Sequence, residues 1–232
     1  MLSYSKEERN NDILCLFAFP GGLLLFAILA KLGHSTADFG DTYVVGTEVI
    51  SAIVVMILPI LRLARKFRSP YWFVLLITSV AYVHAVSLYL GLYKTTDWWD
   101  YFSHVYSSMV VTLIVFIALM IIQKYTTRIE LGKYPLLLMT FIIGYGFGNS
   151  WEAFEWAVDK FYGDHLMSYS IFDTLRDITL SDFTGALIMV VITHVLMSKM
   201  SIDQLTSGMN LDDYMTRTGA KWDRKCGDEE ED

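Results

Sequence analysis

The stretch Asp97-Trp-Trp-Asp100-Tyr-Phe-Ser-His104, followed at once by an apolar run from Val105 to Ile122, decides how this chain folds. Asp97, Asp100 and His104 stand at i, i+3 and i+7, so a helix carries all three on one face. The same helix then continues through enough apolar residues to enter a bilayer. Two later segments repeat the arrangement. Glu152, Glu155 and Asp159 are again at i, i+3 and i+7, and Asp173 and Asp177 are at i, i+4. Ionisable groups at the ends of membrane spans or within them are costly to retain, and they point to function.

Working outward, 54% of the 232 residues are hydrophobic and 19% are charged, with the charges gathered between long apolar runs. That pattern predicts an all-α, polytopic integral membrane protein. Six runs have the required length, at about 12–31, 43–63, 71–93, 98–122, 134–156 and 177–198, each near the ~20 residues that span a ~30 Å core. The expectation is therefore six transmembrane helices in one bundle over 12–198. A short cytoplasmic N-terminus, 1–11, precedes them, and a polar, acidic cytoplasmic tail, 199–232, follows. Residues at positions suited to signal cleavage are too large, which predicts that the first run is a retained span.

Lys and Arg set the orientation. Arg62, Arg65, Lys66 and Arg68 follow the second run, and Lys124, Arg128 and Lys133 follow the fourth, whereas the alternate loops are poor in bases. Both termini are then expected to be cytoplasmic, in the cell (plasma) membrane. With that topology Glu48, His84, Asp100, His104, Glu152, Glu155 and Asp177 all fall toward the outer leaflet, and His194 alone lies near the inner end.

The net charge of −7 arises mostly in the tail, which holds nine acids against five bases, and no basic footprint for nucleic acid is present. Cys15 and Cys226 lie in different environments and report no redox compartment. Phosphate-cradling Gly loops, HExxH and CxxC are absent. Three functional readings remain open. In the first, His104, Glu152, Glu155, Asp173 and Asp177 ligate a divalent metal ion (Zn, Mn, Mg or Ca). Asp100, Arg176 and Asp182 would then serve a metal-dependent hydrolase acting on a lipid-linked or amphiphilic substrate, with Arg176 on its phosphate. In the second, these groups are the path of a proton- or ion-coupled transporter. In the third, they hold helix ends together in a non-catalytic cell-envelope scaffold. Asp97 reads most simply as a helix cap, and Glu48 and His84 as groups bonded to a neighbouring helix. Glu152 and Glu155 are expected at a helix C-terminus, where acids oppose the macrodipole unless a cation compensates.

Asp100-x3-His104, Trp151-Glu152-x2-Glu155-Trp156, and Asp173-x3-Asp177 followed by a Gly-bearing span together resemble the YjdF-type inner-membrane proteins, which are similar in pattern to the VanZ-like family. The resemblance covers about 97–190. It implies a small helical membrane protein with a shared His/carboxylate site at the outer face, and its VanZ-like side implies a cell-envelope or lipid-linked role. The pattern expected at the last span is Asp-x3-Asn-x2-Gly, whereas this chain has Asp177-x4-Asp182-x2-Gly185. The extra residue leaves open whether Ser181 or Asp182 takes the Asn position. On one unbroken α-helix, Asp182 points away from Asp173, so its place depends on how the helix passes Leu180.

Overall fold

The computed structural model describes residues 4–32, 41–126, 129–162, 170–209 and 211. They form α1 (Lys6–Lys31), α2 (Asp41–Leu63), α3 (Tyr71–Tyr89), α4 (Leu92–Thr95), α5 (Trp99–Tyr125), α6 (Lys133–Tyr162), α7 (Ile171–Arg176), a π-helical turn (Asp177–Asp182), α8 (Phe183–Lys199) and α9 (Ile202–Leu205). No strand element forms among the described residues. Five helices are long and apolar enough to cross a membrane: Lys6–Lys31, Val44–Leu63, Tyr71–Tyr89, Trp99–Tyr125 and Ile171–Lys199. The expected fifth run lies in α6, which has the length with 30 residues. Its glycines, Asn149, Ser150 and two glutamates lower its apolarity below that of the other five. The third run ends earlier than expected, because Gly91 takes a left-handed φ of 64° and closes α3 before residue 93.

The chain divides into two compact units, residues 1–103 and 104–232. In the first, α1 begins at Ser5, which caps the Glu8 amide through its hydroxyl while the Glu8 carboxylate returns to the Ser5 amide, at 3.0 and 2.9 Å. The helix thus starts within the segment expected to precede the membrane. Leu23 on α1 packs with Ala52 and Val55 on α2 and Ala85 on α3, flanked by Phe19, Phe26, Ala81 and Tyr82. Ala30, Val44 and Leu88 form a second cluster with Tyr89 and Tyr93. Gly22 permits this approach, since a side chain there would strike the Tyr82 hydroxyl, which donates to the Phe19 carbonyl at 2.8 Å. The outward faces of the same helices are apolar as well (Phe17, Leu25 and Ile28 on α1; Ile50, Ile53 and Ile57 on α2). Helices that are apolar all round need a hydrocarbon surrounding.

One end of this unit is held by a buried ion pair. Arg62 Nε meets Asp12 Oδ1 at 2.6 Å, with side chains only 6% and 1% exposed. The Tyr4 hydroxyl donates to the other Asp12 oxygen at 2.5 Å, and the Arg62 guanidinium lies 4.3 Å from the Tyr71 ring centre. Burial, then the hydrogen bond to Asp12, raise the Tyr4 pKa, so the phenol keeps the proton that it donates.

In the second unit, three glycines allow close approach between elements. A side chain at Gly144 on α6 would strike Thr112 on α5, and one at Gly185 on α8 would strike the Val105 carbonyl and Ser108 on α5. A Cβ at Gly148 on α6 would lie 2.6 Å from the Asp182 carboxyl carbon. Close approach through glycine is a common means of packing helices in lipid. The start of the expected tail is ordered: Ser201 and Gln204 make a capping box for α9, Met209 is fully buried, and the Leu211 amide donates to the Tyr125 hydroxyl at 3.1 Å. Residues 212–232 of that tail lie outside the described residues.

Removing one partner of the buried pair is expected to cost much more than removing both. Asp12→Ala should destabilise the protein by about 3–5 kcal/mol by stranding the guanidinium. Asp12→Leu with Arg62→Met should recover most of that loss, as read by unfolding in mixed micelles.

Candidate functional site

Three elements of the second unit position the site. His104 is on α5, Glu152 on α6, and Asp177 and Asp182 sit at the two ends of the π-helical turn. The His104 Nδ1 atom lies 3.2 Å from Glu152 Oε1 and 3.6 Å from Asp182 Oδ1. His104, Glu152 and Asp182 each offer a ligand atom within 4.8 Å of the others, and an Asp177 oxygen also lies within 4.8 Å of a His104 nitrogen. The carboxylates are nearly inaccessible: Glu152 is 1% exposed, and Asp177 and Asp182 are each 3% exposed.

The π-helical turn explains how both aspartates reach one site. Residues five apart in an α-helix differ by about 140° in direction, at 100° per residue. In a π-turn the hydrogen bond runs from i to i+5, so residues five apart stack on one face. Asp177 and Asp182 are separated by five positions, and both turn inward, with Ser181 also buried. The five-position separation of Asp177 and Asp182 is accommodated in this turn, with Gly185 seated against α5. Such turns inside α-helices occur frequently at functional sites.

Neighbouring polar groups fix the arrangement. The Ser181 hydroxyl donates to Asp177 Oδ1 at 2.9 Å, and the Ser108 hydroxyl on α5 donates to the Asp182 carbonyl at 3.1 Å. Arg176 Nη2 donates to Asp173 Oδ1 at 2.7 Å, while its Nε lies 3.6 Å from Asp177 Oδ1. Asp182 Oδ2 is buried and accepts no hydrogen bond. A buried carboxylate oxygen left so is costly unless a proton or cation meets it.

The expected site residues are therefore distributed unevenly. His104, Glu152 and Asp182 converge, Asp177 adjoins His104, and Asp100 stands one turn before His104 on α5, in the first unit. Glu155 instead accepts from the Trp151 indole at 2.7 Å. Asp173 is engaged by Arg176 on the short α7. Neither belongs to a group of three ligand-forming side chains among the described residues. The glutamates are also not at a helix end. α6 continues to Tyr162, ten residues beyond Glu152, so the macrodipole, which acts within the last turn, does not bear on that residue. Ser108 was not singled out in the sequence, although it stands at i+4 from His104 and so on the same helix face. Gly148 stood out only as one of three glycines, without its contact to Asp182.

A family model described as "Predicted membrane protein (DUF2238)" matches residues 21–199. The YjdF-type proteins of the motif resemblance are in that family. An uncharacterised protein of Thermotoga maritima is 26% identical over 121 residues, 52% of this chain and 60% of the relative. The match thus spans less than two thirds of that relative's length. No solved structure matches the chain.

The contact at Gly148 gives a test. Gly148→Ala should displace the Asp182 carboxyl and destabilise the protein by about 1–3 kcal/mol. Gly146→Ala, with open space at its Cβ position, should cause no loss. Thermal unfolding of the two variants in one detergent separates these outcomes.

Proposed function

Since the chain belongs to the predicted membrane protein (DUF2238) family, we propose that it is a multi-pass membrane protein that binds one divalent cation through His104, Glu152 and Asp182, with Asp177 as a further oxygen ligand. The observation that carries this reading is the buried Asp182 Oδ2, which accepts no hydrogen bond beside an imidazole and a second buried carboxylate. One nitrogen with two or three carboxylates suits Zn²⁺ or Mn²⁺ better than Mg²⁺ or Ca²⁺, which favour all-oxygen sites.

The membrane arrangement belongs to the same proposal. α6 packs along α8 from the Tyr134–His194 stack, with ring centres 6.2 Å apart, to Gly148 beside Asp182. A helix that follows a spanning helix in this way is a sixth span, with the buried Glu152 on its protein-facing side. Six spans put both termini on the base-rich, cytoplasmic side of the plasma membrane and the cation site toward the outer leaflet.

Arg176, held by Asp173 and Asp177 yet 39% exposed, is suited to grip an anionic headgroup. That supports a lipid-linked or amphiphilic phosphate compound as substrate, with hydrolysis by metal-activated water as the chemistry. A cell-envelope role of the VanZ-like kind is part of this proposal. A second reading rests on the 3.2 and 3.6 Å approaches of Nδ1 to two carboxylates. A doubly protonated His104 compensates that charge without a metal, as in a proton-coupled transporter or a scaffold.

Elemental analysis of detergent-purified protein tests the proposal. The wild type should carry close to one transition metal per chain, and Glu152→Gln and Asp182→Asn should lose it at least tenfold in affinity. Metal-free wild type that also fails to take up Zn²⁺ or Mn²⁺ would leave the proton reading in its place.

A further inference from the structure

The second-unit cluster does not use Glu48. This residue lies on α2, which is a spanning helix, and is 0% exposed. Both of its carboxyl oxygens are buried, and neither accepts a hydrogen bond. Its register places it one turn from Val44 and one turn from Ala52, between the two apolar clusters of the first unit. The titratable side chains that face this region come from α3 and its extension. Tyr82 packs against the Leu23 cluster, but its hydroxyl is committed to the Phe19 carbonyl. Tyr89 packs on the Ala30 cluster, and His84 Nδ1 is 2.9 Å from the Tyr93 hydroxyl. From α1 the inward residues at this level are Leu23, Ala27 and Ala30, none of them ionisable. Asp12, paired with Arg62, is three or more turns away from this level on α1.

An ionised carboxylate with no hydrogen-bond donor and no cation in such surroundings costs far more than the packing of three helices recovers. A metal ion is not the remedy here. Groups of three candidate ligands occur among the described residues only around His104, and a cation on Glu48 alone would be almost without ligands. The simplest remaining ligand is a proton.

We propose that Glu48 is a membrane-embedded proton-binding site, a neutral carboxylic acid at physiological pH whose proton is part of the packing of α1, α2 and α3. It is independent of the cation site. Taking off that proton places a bare charge between the two apolar clusters, so alkaline pH loosens the first unit from within. The group thereby couples the packing of these helices to proton supply in the bilayer.

Infrared spectroscopy of the full-length protein in lipid, in H₂O and D₂O, provides the test. The neutral-acid carbonyl band of wild type at pH 7 should shift on deuteration, and one component should be absent from Glu48→Gln. That component should fade as the pH of the wild type is raised. Glu48→Gln, an uncharged isostere, should retain its helical content and melt within a few degrees of wild type. Loss of no component in a folded Glu48→Gln protein overturns the proposal. Failure of Glu48→Gln to fold overturns it too, because an uncharged side chain would then not replace the native one. Glu48→Leu gives the same spectral comparison with no amide band of its own. Metal content should not change in any of these variants, which keeps the result separate from that of the His104 cluster.

Discussion

Carboxylates withdrawn from water must be met by a proton, a cation or a set of donors, and that constraint is visible at Asp12, Glu48, Glu152, Asp177 and Asp182. Asp12 is met by Arg62 and the Tyr4 hydroxyl. Asp177 is met by the Ser181 hydroxyl and approached by Arg176. Glu152 and Asp182 both approach the His104 imidazole, and Asp182 still has one buried oxygen that accepts no hydrogen bond. The Glu48 carboxyl oxygens accept none. These form a graded series, from complete compensation at one end of the first unit to none in its middle. Where compensation within the chain is incomplete, a ligand from outside is the physical answer. The ligands proposed here are a metal ion where several side chains converge and a proton where one stands alone.

The π-helical turn is what makes the convergence possible. An α-helix through 177–185 would direct Asp182 away from the face that carries Asp177. The widened turn brings both inward while the helix continues into α8. The turn is held from outside by the Ser108 hydroxyl on its last carbonyl, and Gly148 leaves the space that the Asp182 carboxyl occupies. The widened turn, a glycine on α6 and a hydroxyl on α5 thus act together on one side chain. A function that depends on Asp182 depends on all of them.

Much of this was legible in the chain itself. Apolar run lengths located the long helices within a few residues, because hydrocarbon thickness leaves little choice of length. The i, i+4 and i, i+3 spacings set His104, Glu152 and Asp177 each on a helix face shared with another acid, because helical periodicity alone fixes shared faces. Other features depend on contacts between distant segments. Glu155 shares the spacing of Glu152 but turns to Trp151, and Asp173 shares that of Asp177 but is taken by Arg176. The extra residue before Gly185 was visible as a departure from the family pattern. Its outcome, a π-turn rather than a break, depends on the seats for Gly185 and Asp182 on two other helices. The end of α6 was missed because Trp156 looked like an interfacial stop, whereas the helix continues two further turns. Among the described residues five helices rather than six meet the length and apolarity of a span, because glycines, Asn149, Ser150 and two glutamates dilute the apolar run of α6.

The central claim is that His104, Glu152 and Asp182 form one cation site assembled by the π-turn. The most direct measurement is a structure of the protein equilibrated with Zn²⁺ or Mn²⁺, with the ion located by its anomalous scattering. The account predicts a single peak at bonding distance, about 2.0–2.2 Å for Zn²⁺, from a His104 nitrogen and from Glu152 and Asp182 oxygens, with the turn at 177–182 retained. A metal-saturated crystal with no peak there, or with Asp182 rotated out of a regular α-helix, would contradict it.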